Sequence, residues 1–135
     1  MIVVCEANCS KRVICNSKEE ITNIIRRGSE FPEGDEIWIG AADDEYPFLT
    51  LLVKGPYACV HYYLNQDGCV WQSYSDFDQE ITFLTGHGDD EWTAPGDTIV
   101  SLEAALKCME EFFDSMKRPE CIQWQELWEE ASSDN

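Results

Sequence analysis

Apolar side chains recur at Leu102, Ala105, Leu106, Met109, Phe112 or Phe113, and Met116, spaced by three and four residues. A helical turn takes 3.6 residues, so these positions share one stripe, and the segment is predicted to be an amphipathic helix lying on a core. Ser101 stands at a favourable N-cap position with Glu103 in the first turn. Lys117 and Arg118 suit the negative C-terminal end, and Pro119 is predicted to stop the helix. The segment "SKEEITNIIRRG" predicts an earlier helix. Ser17 and Glu20 have capping-box spacing, Ile21, Ile24 and Ile25 form the stripe, Arg26 and Arg27 suit the last turn, and Gly28 is the expected terminator.

Between these helices the period changes to two. "EIWIGA" (36–41) alternates, and "PFLTLLV" (47–53) is a nearly continuous apolar run. "YACVHYYL" (57–64) places Ala58, Val60, Tyr62 and Leu64 on one face and Tyr57, Cys59, His61 and Tyr63 on the other. "NQDG" (65–68) is turn chemistry, and "CVWQSY" (69–74) returns as the hairpin partner. "QEITFL" (79–84) predicts another strand, "IVVCE" (2–6) a short first one and "ECIQWQEL" (120–127) a last one. Short strands with no helices between them imply an antiparallel meander rather than βαβ units. The predicted class is α+β: an antiparallel β-meander sheet packed with an N-terminal helix and a C-terminal amphipathic helix, and a short final strand. With no repeat, linker or low-complexity block, residues 1–135 are expected to form one domain, with the tail 129–135 disordered.

Charge is the unusual quantity. Twenty-seven acids face nine bases, a formal net charge of −18. Between Gly28 and Leu106 there are sixteen acids and one base, Lys54. Such an excess repels itself and keeps a protein soluble, and it also favours a partner carrying positive charge. Nucleic acid is an unsuitable partner, because phosphates would repel the chain. No stretch approaches the roughly 20 apolar residues of a membrane span, and the N-terminus turns polar after Cys5, so neither membrane insertion nor a signal peptide is expected. The expected location is the cytoplasm, where the seven cysteines stay reduced. None forms a CxxC pair, and Cys59, Cys69, Cys108 and Cys121 sit singly in apolar patterns, as small hydrophobes do.

The stretch "GHGDDEW" (86–92) concentrates one imidazole and three carboxylates. Flanking glycines loosen rather than fix His87, consecutive acids cannot all converge, and His61 is the only other histidine. It is read as a surface loop anchored by Trp92. No catalytic residue, metal ligand set or cofactor site is assigned, and the usual catalytic and nucleotide-binding motifs are absent. Cys59 shares a strand face with His61, but nothing orients a thiol nucleophile there. The acidic–aromatic composition recurs in "DDEY" (43–46) and "SDFDQE" (75–80), each in a predicted connection. Gathered together, these loops would make an acidic face with aromatic anchors for a basic protein. The candidate binding residues are Asp43, Asp44, Glu45, Tyr46, Asp76, Asp78, Asp89, Asp90, Glu91 and Trp92.

"ACVHYYLNQDG", an acid-rich stretch, and then "AALKCMEEFFDSMKRPECIQWQEL" resemble the first-numbered immunity-protein family of bacterial polymorphic toxin systems. The matching positions are Val60, Tyr62, Tyr63, Ala104, Ala105, Phe112, Phe113, Arg118, Pro119, Trp124 and Leu127. The resemblance implies a non-enzymatic cytoplasmic antidote that binds a cognate toxin C-terminal domain, often a deaminase or nuclease, in contact-dependent or other interbacterial competition. It also implies that Phe112, Phe113 and Trp124 are core and Pro119 a helix stop. Two other readings stay open at this point: an acidic nucleic-acid mimic that regulates DNA-binding proteins, and a small metal-dependent hydrolase built from "GHGDDEW" and His61.

Overall fold

The computed structural model describes residues 3–7, 11–85 and 90–127. The alternating segments become strands of one antiparallel sheet: β1 (Val3–Ala7), β2 (Lys11–Cys15), β3 (Asp35–Ala41), β4 (Phe48–Lys54), β5 (Tyr57–Tyr63), β6 (Val70–Tyr74) and β10 (Gln123–Glu126), in spatial order β10-β6-β5-β4-β3-β1-β2. The fold is α+β, as the periodicity predicts. The chain between β6 and β10 forms a separate hairpin, β7 (Ile81–Thr85) with β8 (Asp90–Ala94), then a 3-10 turn (Gly96–Thr98), a two-residue strand β9 (Val100–Ser101) and helix α2 (Leu102–Ser115). Helix α1 (Lys18–Ser29) joins β2 to β3. The tail from residue 129 lies outside the described residues.

Strand alternation divides the sheet into two faces. Ile37 and Ile39 of β3, Leu49, Leu51 and Val53 of β4, and Ala58, Val60 and Tyr62 of β5 are buried in one cluster with Ile21, Ile24 and Ile25 of α1 and Leu102, Ala105, Leu106, Met109 and Phe112 of α2. Both helix stripes therefore meet the same face. Phe113 and Trp124 pack partly buried against this cluster. On the other face Leu52 and Cys59 need apolar cover, and the β7–β8 hairpin supplies it through Phe83 and Ala94, joined by Ile99. That need explains why the chain leaves the meander after β6: a strand added at the sheet edge would have left Leu52 and Cys59 in water.

Strand β5 shares its outer edge between two partners, β9 at Tyr57 and Ala58 and β6 at His61 to Tyr63. Between them a hydroxyl completes the hydrogen bonding. The Val60 N–H donates to Ser73 Oγ at 3.0 Å, and that hydroxyl donates to the Thr98 carbonyl at 2.7 Å. A buried amide is thus paired without a strand opposite it.

Three local expectations need correction, and one strand was not foreseen. Gly28 does not end α1. It lies buried inside the helix, where a Cβ would stand 2.8 Å from Cβ of Asp35, so its smallness serves close packing. Pro119 does not stop α2 either. The helix ends at Ser115 through Met116, which adopts a left-handed conformation at φ 56°. Pro119 instead offers its carbonyl to Trp124 Nε1 at 2.7 Å, and the Arg118 guanidinium lies 4.9 Å from the Trp71 ring centre. Strand β2 was hidden because "KRVIC" reads as polar chain, yet it needs to bury only one face at the sheet edge; Cys15 is buried while Ile14 stays exposed. Finally, "GHGDDEW" is not all loop. Asp90, Glu91 and Trp92 belong to β8, paired with Thr85, Leu84 and Phe83, while 86–89 lie outside the described residues.

Candidate functional site: an uncovered acidic and aromatic sheet face

The hairpin covers only part of the second sheet face. Towards the β3–β4 connection, Trp38, Phe48 and Tyr63 form a near-parallel ladder. Phe48 lies 5.1 Å from Trp38 at 15° and 4.4 Å from Tyr63 at 11°. Tyr46 tilts against Phe48 at 5.4 Å. Register explains the ladder. Phe48 pairs with Gly40 on one side and Tyr63 on the other. With no side chain at position 40, where a Cβ would come within 3.3 Å of Cβ of Phe48, nothing separates Trp38 from Phe48.

The ladder walls an open groove of about 560 Å³ whose lining also includes Gly40, Ala41 and Ala42 and, at the rim, Asp43, Asp44 and Glu45. Arg12 reaches the groove from β2. A second groove of about 350 Å³ shares Tyr63 and is lined by Glu36, His61, Asp90, Glu91 and Trp92. Two of the acidic segments singled out in the sequence, 43–46 and 90–92, therefore flank one aromatic surface. Asp76 and Asp78 do not join them. Phe77 between them packs on Tyr57 at 5.4 Å, at the opposite end of β5 from Tyr63, on the order of 20 Å away along the strand. Asp89 lies outside the described residues. Trp38, Phe48 and Tyr63 were not among the sequence candidates. The available signal was aromatics at alternate strand positions facing away from the helix stripes.

His61 sits under this face. Burial lowers its pKa to about 4, so the ring is neutral at physiological pH. Its Nε2 lies 2.9 Å from the Gln72 amide nitrogen. An amide NH2 group only donates, so Nε2 accepts and the proton resides on Nδ1. The ring lies 6.0 Å from Trp92 and 6.2 Å from Tyr63, linking the two grooves. Cys59, on the same strand face, is fully buried, and burial pushes its thiol up to about 11. A protonated, enclosed thiol is a packing group and not a nucleophile at neutral pH. Cys121 departs from the expectation of a buried small hydrophobe: it is exposed, with its sulfur 3.5 Å from that of buried Cys108. Among the described residues no three His, Cys, Asp or Glu side chains converge as a metal-binding group, and no helix is long and apolar enough to cross a membrane.

This face has the chemistry of a binding surface: apolar area for desolvated contact, ringed by carboxylates that attract cations. The model of the immunity protein Imm1 family matches residues 10–126, most of the chain. No curated protein matches it.

Proposed function

Because the chain belongs to the Imm1 immunity-protein family, we propose that it neutralises a cognate bacterial toxin by binding the toxin's C-terminal domain in the cytoplasm of the producing cell. Family membership implies a toxin partner. The further reading is that this partner is basic, an enzyme acting on nucleic acid such as a deaminase or nuclease, deployed in contact-dependent or related interbacterial competition. An enzyme of that kind carries a cationic groove for its substrate, and a chain of net charge −18 is drawn to it over distance.

The observation that carries the reading is the sheet face left open beside the hairpin. Asp43, Asp44, Glu45, Asp90 and Glu91 are all exposed there, around half-buried Trp38, Phe48, Tyr63 and Trp92. Aromatic side chains supply most of the binding energy of such surfaces, and the carboxylates set encounter rate and partner choice. Asp89 extends the same acidic segment in sequence. Asp76 and Asp78, at the far end of the sheet, are assigned to long-range attraction rather than contact.

The test is association kinetics between the purified chain and the toxin domain encoded beside it. The expected result is one-to-one capture with abolition of toxin activity. Raising ionic strength from about 0.01 M to 0.5 M should lower the association rate by about 10- to 1,000-fold. Absence of any complex would overturn the immunity reading. Capture at a rate indifferent to salt would remove its electrostatic part. Capture of several unrelated DNA-binding proteins instead would favour a nucleic-acid mimic.

A further inference from the structure

We infer that the groove beside Trp38 is a receptacle for an arginine side chain of the partner, an inference that rests on the toxin-binding reading of this face. Three features argue for it. First, the groove has a low floor beside a raised aromatic wall. Gly40, Ala41 and Ala42 bring almost no side-chain volume to it, while the aromatic ladder stands along one side. The floor therefore leaves room beside the rings for an occupant with an apolar stem.

Second, the charged lining is predominantly negative. Asp43, Asp44 and Glu45 stand exposed at the rim, three carboxylates against the single guanidinium of Arg12. Neither Lys18–Asp114 nor Arg26–Glu103, the ion pairs formed on the helix side, involves these acids. The groove complements a cationic head at the end of the apolar stem.

Third, the neighbouring wall is aromatic, which distinguishes the two long cations. A guanidinium is planar and weakly hydrated, lies against aromatic rings, and offers paired N–H donors to a carboxylate. An ammonium is compact and strongly hydrated and loses more on leaving water. Arg12 also lines the groove from the sheet edge, where it is a like charge to an incoming cation.

The probe is a short capped peptide carrying paired arginines in a Gly/Ser background, with its lysine counterpart as comparison. Both are titrated into the full-length 15N-labelled chain, following the Trp38 indole N–H and the backbone amides of residues 38–46. The expected result is shifts concentrated at these positions, with the arginine peptide bound about fivefold or more tighter than the lysine peptide. The triple variant D43N/D44N/E45Q should lose that preference. An equal charge change at exposed positions on the helix side, E19Q/E110Q/E120Q, should leave it intact. R12Q should tighten binding by removing a like charge from the groove lining.

Shifts spread evenly over the acidic surface, or equal affinity for the two peptides, would overturn the inference even if a toxin is captured. Arginine selection at the groove by a chain that captures no toxin would instead overturn the immunity reading while leaving the receptacle established.

Discussion

The two faces of the central sheet are made by the same strands and follow opposite rules. The helix-covered face draws Ile37, Ile39, Leu49, Leu51, Val53, Val60 and Tyr62 into a closed apolar cluster under α1 and α2. One residue along, the other face carries Glu36, Trp38, Phe48, Thr50, His61 and Tyr63, and the β7–β8 hairpin closes only the part above Leu52 and Cys59. The first face holds the fold together, while aromatic area on the second stays open beside carboxylates. These rings are half-buried, where the residues of the first face are closed off from water. The two faces therefore differ in closure: apolar burial is concentrated on the helix-covered side, and the other keeps partly exposed rings beside carboxylates.

Mutations that separate stability from binding test this contrast. The largest effect is expected on the closed face. Phe112 is fully buried with its ring 6.2 Å from that of Tyr62, and Phe112→Ala should cost about 3–5 kcal/mol in urea denaturation. On the open face, Trp38→Ala should cost far less stability while weakening toxin binding by about 2 kcal/mol or more, a loss of roughly 30-fold. Equal losses of stability and affinity in both variants would abolish the distinction.

His61 joins the two regimes, because it lies on the open face yet its half-buried ring is largely withdrawn from water. Its folded pKa of about 4 lies below the unfolded value of 6.5. Between these values the unfolded chain binds more protons. Stability from this group is therefore full above pH 6.5 and lost as pH falls through 4, amounting to at most about 3 kcal/mol. His61→Gln should flatten that part of the stability–pH curve relative to the parent, measured by thermal melts from pH 7 to 4. Gly28→Ala should destabilise by about 1–3 kcal/mol, because the new methyl meets Asp35, although alanine favours a helix elsewhere. The smallest change is expected from Glu103→Gln, which breaks the exposed Arg26–Glu103 pair (3.2 Å) and should cost under about 1 kcal/mol.

Much of the fold is written locally. The capping box at Ser17 and Glu20 forms with both reciprocal bonds, and Ser101 Oγ accepts the Ala104 N–H at 3.1 Å. The stripes of both helices and the alternation in 36–41 and 57–64 placed Ile21, Ile24, Ile25, Ile37, Ile39, Ala58, Val60, Tyr62 and the α2 stripe correctly, while Leu64, expected on the same face, is exposed. These features depend on neighbours within four residues, so sequence alone carries them. Gly28 and Met116 were misread, and β2 was not foreseen, because their conformations answer distant groups or a sheet edge. The same distinction governs the binding face. Residues 43–46 and 90–92 announce themselves by composition, but nothing local says that they flank one surface while 76 and 78 lie at the other end.

By itself, then, the chain determined its two helices, its meander, its negative charge and which residues could be core, since periodicity and capping act over short range. Only the tertiary structure decided that β7 and β8 would leave the sheet and cover half of one face. Leu52 and Cys59 required apolar cover, and the remaining Trp38, Phe48 and Tyr63 were left to form an open aromatic ladder beside the acidic loops. Contacts between residues far apart in sequence depend on how whole layers pack, which no local pattern encodes.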